Sequence, residues 1–280
     1  MKNLKKIFSA EKCLNSLFLN LLGIQVFRYL IAKLFYFIKS LFIKSNNFED
    51  VKKKGYLKIE NFLKKHEFDE IKKEFETAIK DERFSKRVSQ GTDEVIDEGL
   101  EYISLILTNE IKDIYPKLYE LKENTFIKKY FYECEQKKKF QIHARIEKII
   151  ITDKDKTDPN KEYHCDTFHN TFKAFLYIDN VSNSDGPFTI VPGSHKLSFN
   201  RIFFEWRMSI LYSIKKFNSS FRSTKSKKDI DEQSINFPLK ENTFLMANTH
   251  AIHRRGDAEN NSQRMAIQFW VRDNPFKIFL

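Results

Sequence analysis

The sequence predicts an α+β protein whose core is mainly β, with helices concentrated in its N-terminal half. From Phe140 onward, short β-branched and aromatic runs alternate with Asp, Asn, Gly and Pro, which is typical of an antiparallel sandwich or barrel. Before that point, apolar residues recur at helical spacing. The chain has 280 residues, 41% hydrophobic and 15% aromatic, so it can bury a sizeable core and global disorder is excluded.

The first 48 residues form a basic, apolar segment, here called the N-terminal arm. Residues 13–27 carry no charge, and four Lys or Arg residues between 28 and 44 then interrupt an apolar run. Three interpretations stay open: a helix that packs its apolar face on the core, an amphipathic helix that contacts an anionic membrane through residues 13–44, and a span or signal segment. The charges and the lack of a signal-type cleavage site disfavour the third.

The net charge of +11 lies mostly on this arm. Residues 1–55 hold eleven Lys or Arg and three acids, a net +8, so the other 225 residues carry only +3. A nucleic-acid-binding domain carries its positive face on its folded body, so we expect no nucleic-acid partner. Three scattered cysteines without a CxxC pair exclude a disulfide framework and indicate a reducing compartment. The expected location is the cytoplasm, with membrane association through the arm left open.

The remaining elements form one predicted domain over residues 49–280. GYLKIENFL, from Gly55, predicts a short strand, and the helix after it places Phe68, Ile71, Phe75 and Ile79 at spacings of three and four. Residues 106–138 are predicted to be helical or mixed. Residues 197–235 read as an insertion, a helix followed by a basic loop. The predicted strands lie in QIHARIEKIII, FKAFLYIDNV, PFTIVPG, FPLKENTFLMAN and RMAIQFWVR.

Two short segments carry metal-binding chemistry. In Tyr163-His164-Cys165-Asp166, His164 and Asp166 are two residues apart, and alternate residues of a strand point to the same face. An imidazole and a carboxylate then project together, although such a pair alone is a weak signal. Asn248-Thr249-His250-Ala251-Ile252-His253 offers His250 or His253 as a third ligand. Two histidines and one carboxylate with open positions are the ligand set of non-haem Fe(II) oxygenases.

These segments resemble the phytanoyl-CoA dioxygenase family of Fe(II)/2-oxoglutarate-dependent oxygenases, over roughly residues 50–272. The resemblance rests on GYLKIENFL, the HCD triplet, GPFTIVPGSHK and HAIHRRGDAENNSQR. It implies a double-stranded β-helix (jelly-roll) core flanked by N-terminal helices. It also implies Fe(II), 2-oxoglutarate and O₂, with ascorbate as a candidate reductant. The implied reaction hydroxylates a small organic substrate and decarboxylates 2-oxoglutarate to succinate.

The resemblance also implies roles for individual residues. His164, Asp166 and His253 would ligate iron, and His253 is favoured over His250 because the family's arginine follows its distal histidine by eleven residues, as Arg264 does here. Arg264 would bind the far carboxylate of 2-oxoglutarate as a bidentate pair. Thr171 and Lys173 share one face of the next strand, where either would reach the cosubstrate or face solvent.

The carboxylate of Asp166 bears on the type of reaction. Halogenating relatives carry a small residue in its place, so hydroxylation is favoured over halogenation. His195 is expected in a turn, His169 in a turn or at the substrate, and Cys165 in the core. A rival interpretation is a catalytically inactive jelly-roll binding protein attached to a membrane surface through its arm. The basic residues of the 197–235 insertion would either recognise an anionic group or be solvated: Arg201, Arg207, Lys215, Lys216, Arg222, Lys225, Lys227 and Lys228.

Overall fold

The β-rich half of the chain forms two antiparallel sheets. A computed structural model describes residues 6–43, 48–83, 86–87, 99–156, 158–214, 221–222, 230–271 and 274–277. Its strands are β1 (Tyr56–Ile59), β2 (Lys86–Arg87), β3 (Leu100–Ile106), β4 (Ile142–Ile151), β5 (His164–Cys165), β6 (Phe172–Tyr177), β7 (Phe188–Ile190), β8 (Phe221–Arg222), β9 (Ile235–Phe237), β10 (Thr243–Asn248), β11 (His253–Arg255) and β12 (Gln263–Val271). The large sheet has the order β1-β10-β6-β12-β4-β3-β2 and the small sheet β8-β5-β11-β7-β9. This is the predicted jelly roll.

The helices lie mostly before β4. They are α1 (Leu17–Leu21), α2 (Ile24–Ser40), α3 (Phe48–Lys54), α4 (Lys65–Ala78), α5 (Pro116–Leu121), α6 (Thr125–Glu135) and α7 (Phe199–Ser213). Two 3₁₀ turns, Asn109–Ile111 and Pro159–Lys161, complete the described elements. None of the helices in the described part of the chain has the length and apolar character needed to cross a bilayer.

Helices α4, α5 and α6 pack with one face of the large sheet and form the main core. The predicted spacing on α4 is confirmed, because Phe68, Ile71 and Phe75 are all buried there. They join apolar side chains of alternate positions on the strands, such as Leu176 and Phe269. The residues between them along each strand therefore point into the space between the two sheets, since neighbouring side chains of a strand alternate in direction.

The central strand β12 shows how this alternation builds the inner face. It pairs with β4 on one side and β6 on the other, and Arg264 lies opposite Ile149 of β4. Gln268 lies opposite Phe175 of β6. Arg264 and Gln268 thus share the inner side of the strand, whereas Phe269 belongs to the helix-covered core.

Two features of the fold were not specified by the sequence analysis. Strand β3 was not predicted, because its polar residues Glu101 and Ser104 interrupt an apolar strand pattern. The arm does pack on the body, with α1 and α2 against α7, but a stripe of large apolar side chains on α2 stays exposed. The inward side of α2 is formed by Gln25, Arg28, Tyr29 and Ala32.

The insertion contains the predicted helix, which is α7. Its Arg201 is buried and pairs with Glu205 at 2.8 Å, so Arg201 does not recognise a substrate. The loop prediction lies mainly outside the described residues, as do Lys44, Lys215, Lys216, Lys225, Lys227, Lys228 and the side chain of Arg222. The division of the chain near residue 48 stays a prediction.

Candidate metal centre

The pairing of β5 with β11 brings the first two predicted ligands together. His164 lies directly opposite His253 in the antiparallel register. Side chains of directly opposed residues lie on the same face of a sheet, and the two imidazole rings are 4.4 Å apart between centroids. Asp166 follows β5 immediately, and its backbone N–H donates to the Thr249 carbonyl at 2.9 Å.

Each imidazole is held by a main-chain carbonyl. Nδ1 of His164 lies 2.7 Å from the Glu162 oxygen, and Nδ1 of His253 lies 2.9 Å from the Ala251 oxygen. A neutral imidazole that donates from Nδ1 leaves the Nε2 lone pair free for a metal. Both Nε2 atoms lie 3.8 Å from Oδ1 of Asp166. The ligand atoms of all three residues fall within 4.8 Å of one another, so they fit a single divalent cation.

The surroundings of Asp166 and His253 favour the protonation states that bind a metal. Burial by itself would raise the pKa of Asp166, but the Lys173 ammonium, 2.8 Å from Oδ2, holds that pKa well below its usual range. Burial lowers the pKa of His253, although the Asp166 charge opposes the shift. A carboxylate and neutral imidazoles are the protonation states that bind a metal.

The three residues open into a cavity of about 740 Å³ between the two sheets. Arg264 lines it, and its Nη1 donates to the Gly186 carbonyl at 2.6 Å. Among the described residues, no carboxylate pairs with Arg264. Every other arginine of the lining has one: Arg83 with Asp81, Arg145 with Glu147, Arg254 with Asp257 and Arg255 with Asp158. Arg264 is therefore the arginine best placed to bind an incoming carboxylate.

Thr171 directly precedes β6 and Lys173 lies within it, and of these two residues only Lys173 lines the cavity. There it contacts Asp166. The Thr171 hydroxyl lies 2.6 Å from the Thr167 hydroxyl. The structure thus brings together His164, Asp166, His253, Arg264 and Lys173, and leaves Thr171 outside the cavity.

His250 lies on the opposite side of the chain from His253. It is fully buried, with Nε2 3.4 Å from Oε1 of Glu205 and Nδ1 3.4 Å from Nζ of Lys33. Burial and the charges of Arg201 and Lys33 hold the pKa of His250 well below its usual value. His250 therefore belongs to a buried network that supports the turn before β11.

The remaining histidines and Cys165 lie apart from the three ligand atoms. His195 follows a turn at Gly193, and its Nε2 donates to the Lys52 carbonyl at 3.1 Å. His169 is buried, with Nδ1 3.0 Å from the Asn170 oxygen. Cys165 is fully buried in a separate apolar cluster with Tyr29 and Phe168, as expected for a small core residue.

Several polar residues of the cavity were not predicted. Arg145 and Glu147 line it from β4, and Tyr102 donates from β3 to Oε2 of Glu147 at 2.8 Å. A signal for the first two was available, because they are two residues apart in a predicted strand and so share a face. Tyr102 carried none, since β3 itself was not predicted.

The fold is similar to that of solved enzymes. One example is the non-haem α-ketoglutarate-dependent epimerase SnoN from nogalamycin biosynthesis, with a TM-score of 0.53 and 15% identity over 80% of this chain and 81% of that chain. Another is HygX from Streptomyces hygroscopicus with nickel and 2-oxoglutarate bound, with a TM-score of 0.50 and 14% identity over 82% of this chain and 87% of that chain. EctD from S. alaskensis with bound Fe has a TM-score of 0.50 and 14% identity, over 85% of this chain and 82% of that chain. At these identities the similarity establishes the fold.

No curated protein sequence matches this chain. The sequence model of the family described as phytanoyl-CoA dioxygenase matches residues 51–266, which include all three metal-facing residues and Arg264. The match covers well over half of the sequence and agrees with the jelly-roll architecture. The chain belongs to the phytanoyl-CoA dioxygenase family.

Proposed function

We propose that this protein is a non-haem Fe(II)- and 2-oxoglutarate-dependent dioxygenase that hydroxylates a small organic substrate. The observation that carries the proposal is the convergence of His164 Nε2, His253 Nε2 and the Asp166 carboxylate in the wall of a large cavity. Three protein ligands leave coordination positions open, as oxygenase chemistry requires. The solved enzymes of the same fold named above are in keeping with this class.

The protein's own part in the reaction is to hold the metal and to keep its ligands in the correct orientation and charge state. His164, Asp166 and His253 would hold Fe(II), which when bound supplies the activation of O₂ that couples 2-oxoglutarate decarboxylation to substrate oxidation. In balance, 2-oxoglutarate, O₂ and a substrate C–H give succinate, CO₂ and a substrate C–OH. Lys173 holds Asp166 in its ionised form by direct contact.

Arg264 would fix the cosubstrate. Its guanidinium presents parallel donors that match a carboxylate, and no described carboxylate competes for it. A cosubstrate held there by its far carboxylate would extend through the cavity toward the three metal-facing residues. The other arginines of the lining are paired with carboxylates, so among the described residues Arg264 is the guanidinium left for an anionic ligand.

Asp166 favours hydroxylation over halogenation, because its carboxylate fills the position that a halide would need. The cavity is lined by both charged and aromatic side chains, with Phe175 and Phe188 among the latter. Such a lining suits a small organic substrate with polar groups.

The test is 2-oxoglutarate consumption by purified protein with Fe(II), ascorbate and O₂, followed as succinate release. We expect turnover in the wild-type protein and at least about a hundredfold loss in His164→Ala, Asp166→Ala and His253→Ala. His66→Ala, at an exposed position, should retain full turnover. Full turnover in His253→Ala would remove His253 from the ligand set. Absence of both iron and 2-oxoglutarate binding in calorimetry would favour the non-catalytic binding protein.

A further inference from the structure

Helix α2 buries a charged residue on its inward side and exposes its large apolar side chains. Its inward side carries Arg28, which is fully buried and donates to four acceptors: the carbonyls of Ile7, Ser9 and Glu11 and the side chain of Gln25. The guanidinium also lies 4.3 Å from the ring centroid of Phe168. Burying a charge is costly unless it is fully hydrogen-bonded, so these contacts fix which side of α2 faces inward.

The outward side of α2 is consequently apolar. Phe27, Leu30, Leu34, Phe37 and Leu41 follow one another at spacings of three and four, so they form one stripe along the helix. All five are exposed, Phe37 and Leu41 to 59% each. A helix of a soluble domain normally turns such a stripe to the core. Contiguous exposed apolar surface of this kind marks an interaction site.

The stripe continues onto neighbouring elements. In α1, Leu21 is exposed, and its carbonyl accepts a hydrogen bond from Nε1 of Trp206 in α7 at 3.4 Å. The Trp206 ring contacts Phe203 with centroids 5.9 Å apart. Next to the stripe lies a groove of about 480 Å³, walled by Leu30, Leu34, Phe37 and Leu197. We call the exposed apolar residues of α1, α2 and α7 the apolar face.

Basic side chains border the apolar face. No acidic residue occurs between Glu11 and Glu49, and the first 55 residues carry a net +8. Lys52 and Lys196 line the groove itself, and both are exposed. An apolar surface bordered by basic side chains complements a bilayer with anionic headgroups.

We propose that the apolar face docks this protein on an anionic lipid bilayer, with α2 lying in the plane of the membrane interface. The large exposed side chains enter the boundary between headgroups and acyl chains, and Trp206 sits at headgroup depth. A second copy of the chain is a poorer occupant, because a symmetric dimer would bring two basic faces together.

The test is co-sedimentation with vesicles of phosphatidylcholine alone and of equal parts phosphatidylcholine and phosphatidylserine. We expect the wild-type protein to bind the anionic vesicles at least about tenfold more tightly, and added salt to weaken that binding. The double variant Leu34→Glu/Phe37→Glu should lose at least about tenfold in vesicle affinity. Phe126→Glu is the matched control: Phe126 is 61% exposed on α6, outside the apolar face, and its variant should bind as the wild type does.

A second measurement uses the wild-type fold. Phosphatidylserine vesicles that contain brominated acyl chains should quench Trp206 fluorescence, and Trp206→Phe should remove most of the quenching and leave the signal of Trp270, the other tryptophan. No vesicle binding, or equal binding by the double variant, would overturn the proposal. A wild-type dimer that the double variant dissociates, without vesicle binding, would assign the apolar face to a second copy.

Discussion

His164 and His253 owe their orientation to main-chain carbonyls two residues earlier in the chain. The Glu162 and Ala251 oxygens each accept from Nδ1, so both rings present Nε2 to the same point as Asp166. The spacing of the sequence identified His164 and Asp166, and the resemblance to the family favoured His253 over His250. It held no information on ring orientation, which depends on the local backbone after folding.

Arg264 gives a prediction about the cosubstrate. Arg264→Met removes the guanidinium that has no carboxylate partner among the described residues, so we expect the KM for 2-oxoglutarate to rise about thirtyfold or more. Arg264→Lys should lose less, since it retains the charge but not the paired donors. Steady-state succinate release measures both variants, and exposed Arg207→Met serves as the control. An unchanged KM in Arg264→Met would contradict the assignment.

His195 gives a prediction about acid stability. Burial, reinforced by the Lys33 charge, lowers the pKa of His195 to about 4, whereas an unfolded histidine titrates near ~6.5. As the pH falls, the unfolded state takes up its proton first, so the folded state loses stability between those two values. From pH ~7.5 to ~5 this loss amounts to about 2 kcal/mol.

The measurement is urea denaturation of wild type and His195→Gln at both pH values. We expect the free energy of unfolding of His195→Gln to fall by about 2 kcal/mol less over this range. Exposed His66→Gln should follow the wild type. An equal decline in His195→Gln and wild type would show that His195 is not the group responsible.

At the scale of elements, the turn between α3 and β1 depends on a glycine. Gly55 has φ +92°, and a Cβ there would lie 2.9 Å from Nδ1 of buried His195. Gly23, before α2, has φ +81°, but a Cβ there would meet nothing within 4 Å. A substitution at Gly23 therefore measures backbone strain alone, whereas one at Gly55 adds steric overlap to the strain.

We expect Gly23→Ala to cost about 1 kcal/mol, from strain alone. Gly55→Ala should cost about 2–4 kcal/mol, because overlap with His195 adds to the strain. Chemical denaturation of the two variants gives the difference directly. Equal costs would mean that His195 moves aside freely.

Some helices and strands could be predicted from the sequence and others could not, for physical reasons. Strands β4, β6, β10 and β12 follow apolar and aromatic runs, and α4 follows its helical spacing, so local pattern identified them. Strand β3 carries buried polar positions that serve the cavity, so its pattern misleads. The inward side of α2 could not be predicted, because buried Arg28 is satisfied by carbonyls at the start of the arm, which helical periodicity does not reveal.

At the scale of the whole molecule, most of the net charge and the candidate metal centre lie in different parts of the sequence. The net charge of +11 lies mainly in the first 55 residues, the part of the sequence that contains α1 and α2. In the cavity between the sheets, the described arginines are paired with carboxylates, except for Arg264, which we propose for the cosubstrate. The family and the jelly roll followed from the motifs, whereas the substrate depends on the residues that line the cavity, which come from strands distant in sequence.

The central claim, one iron held by three side chains beside a carboxylate-binding arginine, is tested most directly by an anaerobic crystal structure with Fe(II) and 2-oxoglutarate. We expect one metal ion bound by His164 Nε2, Asp166 and His253 Nε2, with the far carboxylate of 2-oxoglutarate on Arg264. A metal bound through His250, or a cosubstrate carboxylate held by another cation of the cavity, would contradict it.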